Sequence, residues 1–115
     1  MTQRIALALD LVDDADLIAE YEHWHCVGNT DPAVSRSIRD AGIEQMEIYR
    51  AGNRLFMLIE AGPAYDAGAK AAADAANPAV VGWVEKMKRF QQPVPAAGAD
   101  GTWHVMDRIF RLTDH

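Results

Sequence analysis

Two short stretches joined by a turn decide the fold of this chain: IEQMEIYR at residues 43–50 and RLFMLIEA at residues 54–61. In both stretches one face is apolar and the other is mixed, which is the two-residue period of a β-strand. The connection Ala51-Gly52-Asn53 supplies the glycine and asparagine that tight turns use. The sequence therefore predicts an antiparallel hairpin near the middle of the chain.

The mixed face of this hairpin carries Tyr49, Phe56 and Glu60. Three interpretations fit such a face: a solvated sheet surface, an oligomer interface or a ligand pocket. Glu60 closes its strand, so it is either a surface charge or a carboxylate of a functional site. Tyr49 is a candidate ligand contact on the same grounds.

Further strands and helices are predicted on both sides of the hairpin. Their order is a first strand, a helix ending near His25, a second helix begun by Asp31-Pro32, the hairpin, a weak helix or ordered loop, a stronger helix, a loop and a last strand. Apart from the first two helices and the hairpin, the predicted ranges are 4–12 for the first strand, 66–76 for the weak segment, 78–90 for the stronger helix, 91–101 for the loop and 102–112 for the last strand.

The order β-α-β-β-α-β predicts an α+β fold of the ferredoxin-like type, in one domain spanning residues 1–115. Helices on one face of a four-stranded sheet leave the other face uncovered. Because that face is partly apolar, we expect a second copy of the chain to cover it by packing its own sheet face to face in a homodimer.

Composition excludes several classes of partner. The net charge of −6, with scattered basic residues, argues against nucleic acid and anionic membrane surfaces. The longest apolar run, residues 55–59, is too short to span a membrane, and the single Cys26 is typical of a reducing compartment. We therefore expect a cytoplasmic homodimer. The sequence has no metal-binding or phosphate-binding motif, so no cofactor and no metal is predicted.

The first helix carries the strongest candidates for chemistry. Tyr21 and His25 are four residues apart, which places them on one face of the helix, and Trp24 belongs to the same apolar stripe. A phenol and an imidazole so placed can hold and protonate a polar substrate. The same spacing also fits a hydrogen-bonded histidine and aromatic rings that only pack in a core. Trp83, on the stronger helix, has the same two interpretations: core packing or a platform for a sugar.

The chain resembles the L-rhamnose mutarotase family. The likeness rests on Tyr21-x-x-x-His25, on residues 43–49 and 55–60, and on a final set of residues in the C-terminal third of the chain. That final set comprises Asn77-Pro78, Trp83, Met87 and residues 107–110. The resemblance covers nearly the whole chain and implies a dimeric α+β barrel that interconverts the anomers of a free 6-deoxyhexose without a cofactor.

The resemblance also implies roles for individual residues. The acid histidine corresponds to His25, the binding tyrosine to Tyr21 and the sugar-facing tryptophan to Trp83. The rhamnose enzymes have a tyrosine at the position of Met46 and a second tryptophan at the position of Val84. These departures favour the L-fucose subtype of the family, with L-fucose as the preferred substrate over L-rhamnose.

Several alternatives stay open at this point. The second proton carrier is Tyr21, Tyr49, Glu60 or His104. Similar barrels bind haem or oxidise small aromatic molecules, which would require an axial ligand such as His104 or His25. A barrel without catalytic activity, acting as a stress-type domain, is the third interpretation.

Overall fold

The predicted hairpin is present in the computed structural model, which describes residues 2–97 and 103–115. Strand β2 runs from Ile43 to Ala51 and strand β3 from Arg54 to Ala61, paired antiparallel. Gly52 lies in the turn between them with φ of 59°, a backbone conformation that glycine adopts without steric cost.

Strand β1, Gln3–Leu11, lies in the interior of the sheet, as its two apolar faces predict. It pairs antiparallel with β3 on one side. Its other side pairs with two short strands, β4 at Gln91–Gln92 and β5 at His104–Val105, which take successive parts of the same edge. The sheet order is β2-β3-β1-β4, with β5 also on β1. These observations confirm an α+β fold with an antiparallel sheet.

Two α-helices fill the connection between β1 and β2, and two more fill the connection between β3 and β4. Each begins at a residue whose side chain accepts a hydrogen bond from a backbone N–H of the first turn, which stabilises the helix start. The helices and their caps are α1 Ala15–Trp24 after Asp14, α2 Pro32–Asp40 after Asp31, α3 Ala67–Ala75 after Asp66, and α4 Pro78–Lys88 after Asn77. The segment predicted as a weak helix or an ordered loop is thus a helix.

The end of the chain differs from the prediction. The strand predicted at 102–112 is wrong beyond Val105, and the predicted loop contains the pairing residues of β4. Met106 still donates its backbone N–H to Ala6, but the residues after it are exposed; Ile109 is 96% accessible. Alternation of side chains predicted a strand, but a strand also requires backbone pairing, and the pairing of β5 with β1 ends at Val105 opposite Leu7. Residues 98–102 of the two predicted segments lie outside the described part.

The core lies between the sheet and the helices. One cluster contains Leu11, Tyr21, Leu55, Met87 and Phe90; a second contains Ile43, Met57, Ile59 and Ala61. Burial of this apolar surface holds the helices against one face of the sheet. In the described ranges, 2–97 and 103–115, no helix is long and apolar enough to cross a membrane.

Candidate functional site

A cavity of about 450 Å³ opens between the helices and the helix-covered face of the sheet. That volume is within the range of small-molecule sites, roughly 300–1,000 Å³. Its walls are largely apolar. The polar side chains that line it are Tyr21, His25, Thr30, Ser37, Lys70, Asp74 and Gln91.

His25 follows the last residue of α1, and its ring is held by two neighbours. Its Nδ1 lies 2.7 Å from the backbone carbonyl of Tyr21. Because a carbonyl only accepts, Nδ1 must carry the proton, which leaves Nε2 as the atom that gains and loses a proton. The ring centroid is 4.3 Å from that of Tyr21 and 5.4 Å from that of Trp83.

The surroundings of His25 change its proton affinity. The residue keeps contact with solvent, yet packing against the two aromatic rings removes part of its hydration. This desolvation lowers the pKa of His25 from its ordinary value of 6.5, while the hydrogen bond to the Tyr21 carbonyl acts in the opposite direction. The imidazole is therefore predominantly neutral at pH 7.

Tyr21 carries a buried phenol. It is 3% accessible, and burial raises the pKa of its phenol to about 12, against a smaller opposing effect of its hydrogen bond with the Gln91 side chain. The hydroxyl consequently keeps its proton at neutral pH. The ring packs edge-on against Phe90, with centroids 5.9 Å apart, which fixes its orientation.

Three of the residues predicted for the site come together here: Tyr21, His25 and Trp83 all line the cavity. The same holds for Met46 and Val84, the two positions at which the sequence departs from the rhamnose enzymes. Those departures therefore change the wall of the cavity itself.

Glu60 and Tyr49 lie on the opposite face of the sheet. Successive strand residues point to opposite sides, and Met57 and Ile48 are the neighbours that face the cavity. Glu60 instead accepts a hydrogen bond from Arg4 at 3.0 Å, and the exposed Tyr49 packs near Phe56. Within one chain, neither residue reaches the imidazole side of the sheet.

Trp24 lies outside the cavity, although it belongs to the same helix as Tyr21. Its indole N–H donates to Glu20 at 3.3 Å, and the Lys86 ammonium lies 2.9 Å from its ring centroid. Trp24 lines a separate surface pocket. Trp83 and Thr30 line both that pocket and the cavity. His104, on β5, pairs with Ala8 and is not among the cavity residues.

The cavity residues that sequence reasoning missed include Lys70, Asp74, Gln91 and Trp103. The signal for the first two was their four-residue spacing in an otherwise alanine-rich segment. Gln91 begins β4 and Trp103 directly precedes β5, and no local pattern in the sequence pointed from either residue to the cavity. Across the part of the chain that the structure describes, no group of three or more His, Cys, Asp or Glu side chains is placed to hold a metal ion.

Comparison with known proteins identifies the family. The family model for L-rhamnose mutarotase matches residues 4–112. The chain belongs to the L-rhamnose mutarotase family. It is therefore a sugar mutarotase, an isomerase, as the resemblance noted in the sequence implied.

Individual relatives agree with this assignment. The mutarotase is 45% identical over 112 residues to an L-fucose mutarotase of Xanthomonas campestris pv. campestris, covering 97% of this chain and 90% of the relative. It is 32% identical to a protein of Dictyostelium discoideum, covering 93% and 87%. Its fold matches that of an L-rhamnose mutarotase from Formosa agariphila with a TM-score of 0.66 at 19% identity, covering 96% and 98%.

Proposed function

We propose that this mutarotase interconverts the α and β anomers of free L-fucose in preference to L-rhamnose. The observation that carries the proposal is the position of His25 in an apolar cavity, between the rings of Tyr21 and Trp83. The L-fucose mutarotase that is 45% identical supports the choice of sugar. Met46 and Val84 support it as well, because they line the cavity at the two positions where the rhamnose enzymes have a tyrosine and a tryptophan.

The proposed mechanism is general acid–base ring opening. Mutarotation needs a proton on the ring oxygen and removal of the proton from the anomeric hydroxyl, followed by rotation about C1–C2 and ring closure. The protonated form of His25 delivers the first proton from Nε2, because its Nδ1 remains bonded to the Tyr21 carbonyl. A solvent water at the open side of the cavity accepts the proton of the anomeric hydroxyl. During closure the neutral imidazole takes this proton back from the hydroxyl formed at the former ring oxygen, and water returns a proton to the anomeric oxygen, so each turnover regenerates the starting state.

Two aromatic residues position the sugar in this proposal. Tyr21, whose pKa of about 12 keeps the phenol protonated, donates a hydrogen bond to a sugar oxygen. Trp83 packs against the apolar face and methyl group of the 6-deoxy sugar. Glu60, Tyr49 and Trp24 are left out of the proposed proton transfer, because in one chain they lie away from the cavity.

Anomer exchange measured by NMR tests this function directly. Micromolar enzyme should raise the rate of exchange between the two anomeric signals of L-fucose or L-rhamnose well above the rate in buffer. We expect faster exchange with L-fucose at equal concentrations. No acceleration with either sugar would refute the proposed reaction, and a preference for L-rhamnose would refute the proposed substrate.

We also propose a cytoplasmic homodimer in which two sheets pack through the faces that the helices leave uncovered. The centre of that face carries Ala6, Ala8, Phe56 and Leu58, half-buried in the single chain. The ion pair between Arg4 and Glu60 borders it. Apolar residues inside a polar rim are the usual anatomy of a protein interface. The single cysteine supports the location, since it leaves no internal disulfide to form.

Replacing an apolar residue of this face with a charge should separate the dimer. Phe56→Asp would bury an unpaired carboxylate at the interface, so we expect the mass in solution to fall from that of two chains to that of one. Size-exclusion chromatography with light scattering measures this mass. The control is Val81→Asp on the exposed side of α4, where Val81 is 45% accessible and the mass should not change. A Phe56→Asp variant that remains dimeric while folded would contradict the proposed interface.

A further inference from the structure

Helix α3 presents a single ion pair to the cavity. Its sequence, AGAKAAADA, has only alanine and glycine apart from Lys70 and Asp74. These two residues are four apart, lie on one side of the helix and both line the cavity. The Lys70 ammonium donates to the Asp74 carboxylate at 2.6 Å, and their side chains are only 18% and 28% accessible.

Helix stability does not explain this pair. The lysine precedes the aspartate, so the positive charge is nearer the N-terminus of the helix and the negative charge nearer the C-terminus. That order opposes the helix dipole and is the less favourable of the two arrangements. Withdrawing both charges from water also carries a cost that alanine at the same positions would avoid.

Both charged groups have unused hydrogen-bonding capacity. An ammonium has three donors and a carboxylate has about four acceptor positions. Among the described residues, 2–97 and 103–115, neither side chain makes a hydrogen bond other than the one that joins the two. The remaining donors and the second carboxylate oxygen are therefore available to a molecule in the cavity.

Adjacent sugar hydroxyls match such a pair. Each hydroxyl both donates and accepts, so one can donate to the carboxylate while its neighbour accepts from the ammonium. Helix α3 packs on α4, whereas His25 belongs to α1, so the pair and the imidazole stand on different walls of the cavity. A ring whose anomeric end meets His25 directs its 3- and 4-hydroxyls away from the imidazole.

We propose that Lys70 and Asp74 bind the 3- and 4-hydroxyls of the sugar and select their configuration. This inference rests on the proposed mutarotase reaction with 6-deoxyhexoses. L-Fucose carries these two hydroxyls on the same side of the ring, whereas 6-deoxy-L-glucose, which differs only at C4, carries them on opposite sides. The ion pair thus acts as a specificity determinant at the end of the ring remote from the chemistry.

The test compares the two sugars in the intact protein. Anomer exchange rates at several sugar concentrations give kcat and KM for wild type, Lys70→Met, Asp74→Asn and the reversed pair Lys70→Asp/Asp74→Lys. For L-fucose we expect KM to rise about tenfold or more in all three variants with kcat within about threefold, since each single variant removes a charged hydrogen bond to the substrate and the reversed pair exchanges the positions of the two charges. The ratio of kcat/KM between L-fucose and 6-deoxy-L-glucose should fall towards one.

The reversed pair separates binding from a structural role. It keeps both charges and their spacing, and it agrees with the helix dipole, so its melting temperature should equal or exceed that of wild type. A reversed pair with wild-type KM and sugar preference would overturn the inference. The matched control is Lys88→Met/Glu85→Gln, which removes an exposed ion pair of α4 and should leave both constants unchanged.

Failure of the inference is distinct from failure of the proposed function. If wild type accelerates exchange but the three variants keep its KM and its preference, the reaction stands and the role of the pair is refuted. If wild type accelerates exchange of no 6-deoxyhexose, the reaction is refuted and the inference falls with it.

Discussion

His25→Ala should reduce the rate of anomer exchange by about 10²–10⁴-fold, the contribution that a positioned general acid or base makes. Imidazole is the side chain that exchanges its proton near neutral pH, and the Nε2 of His25 has no partner that competes for the proton among the described residues. The neighbouring Tyr21 cannot replace it, because its pKa of about 12 makes the phenol too weak an acid for rapid transfer.

The pH dependence of wild type follows from the same assignment. The pKa of His25 is lowered below 6.5, so the imidazolium that acts as the acid is lost as pH rises through that lowered value. After subtraction of the buffer-catalysed rate, kcat/KM should therefore increase as pH falls from about 8 to about 6. The slope should disappear in His25→Ala. A slope of the opposite sign in wild type would assign His25 the role of base rather than acid.

The matched control is His23→Ala. His23 is exposed on the same helix, and its ring packs against Trp24 rather than into the cavity. Its removal should leave both the rate and the pH profile as in wild type. Exchange that survives in His25→Ala at the wild-type rate would keep the reaction and refute the assignment of the acid.

The central hairpin and the pair Tyr21 and His25 were predictable because their patterns are local. Strand alternation placed Met46 and Ile48 on one face and Tyr49 on the other, and both of the former line the cavity. Helical spacing brought Tyr21 and His25 together before any tertiary contact was known.

The rest depends on contacts between distant parts of the chain. Glu60 has the right chemistry for a site, but its strand turns it to the face that the helices do not cover. The alternating residues after Val105 do not continue the pairing of β5 with β1, and side-chain alternation alone does not show where such pairing ends. The pair formed by Lys70 and Asp74 was readable from its spacing, yet only the packing of α3 on α4 shows that it borders the cavity.

Phe90→Ala should lower the free energy of unfolding by about 3–5 kcal/mol, which is the usual cost of truncating a buried aromatic residue. Phe90 is fully buried, and it belongs to the core cluster that contains Leu11, Leu55, Met87 and Tyr21. Domains of this size are stable by roughly 5–15 kcal/mol, so the loss consumes a large part of the total. Urea denaturation measures the change.

The same substitution should also weaken catalysis at temperatures where the variant remains folded. Phe90 supports the edge of the Tyr21 ring, and Tyr21 in turn holds His25 through its ring and its carbonyl. A cavity beneath Tyr21 would loosen both contacts, so kcat should fall while the melting transition is still well above the assay temperature. The control Val81→Ala truncates an exposed side chain of α4 and should change stability by no more than about 0.5 kcal/mol. A stability loss in Phe90→Ala as small as that of the control would contradict the packing described for this core.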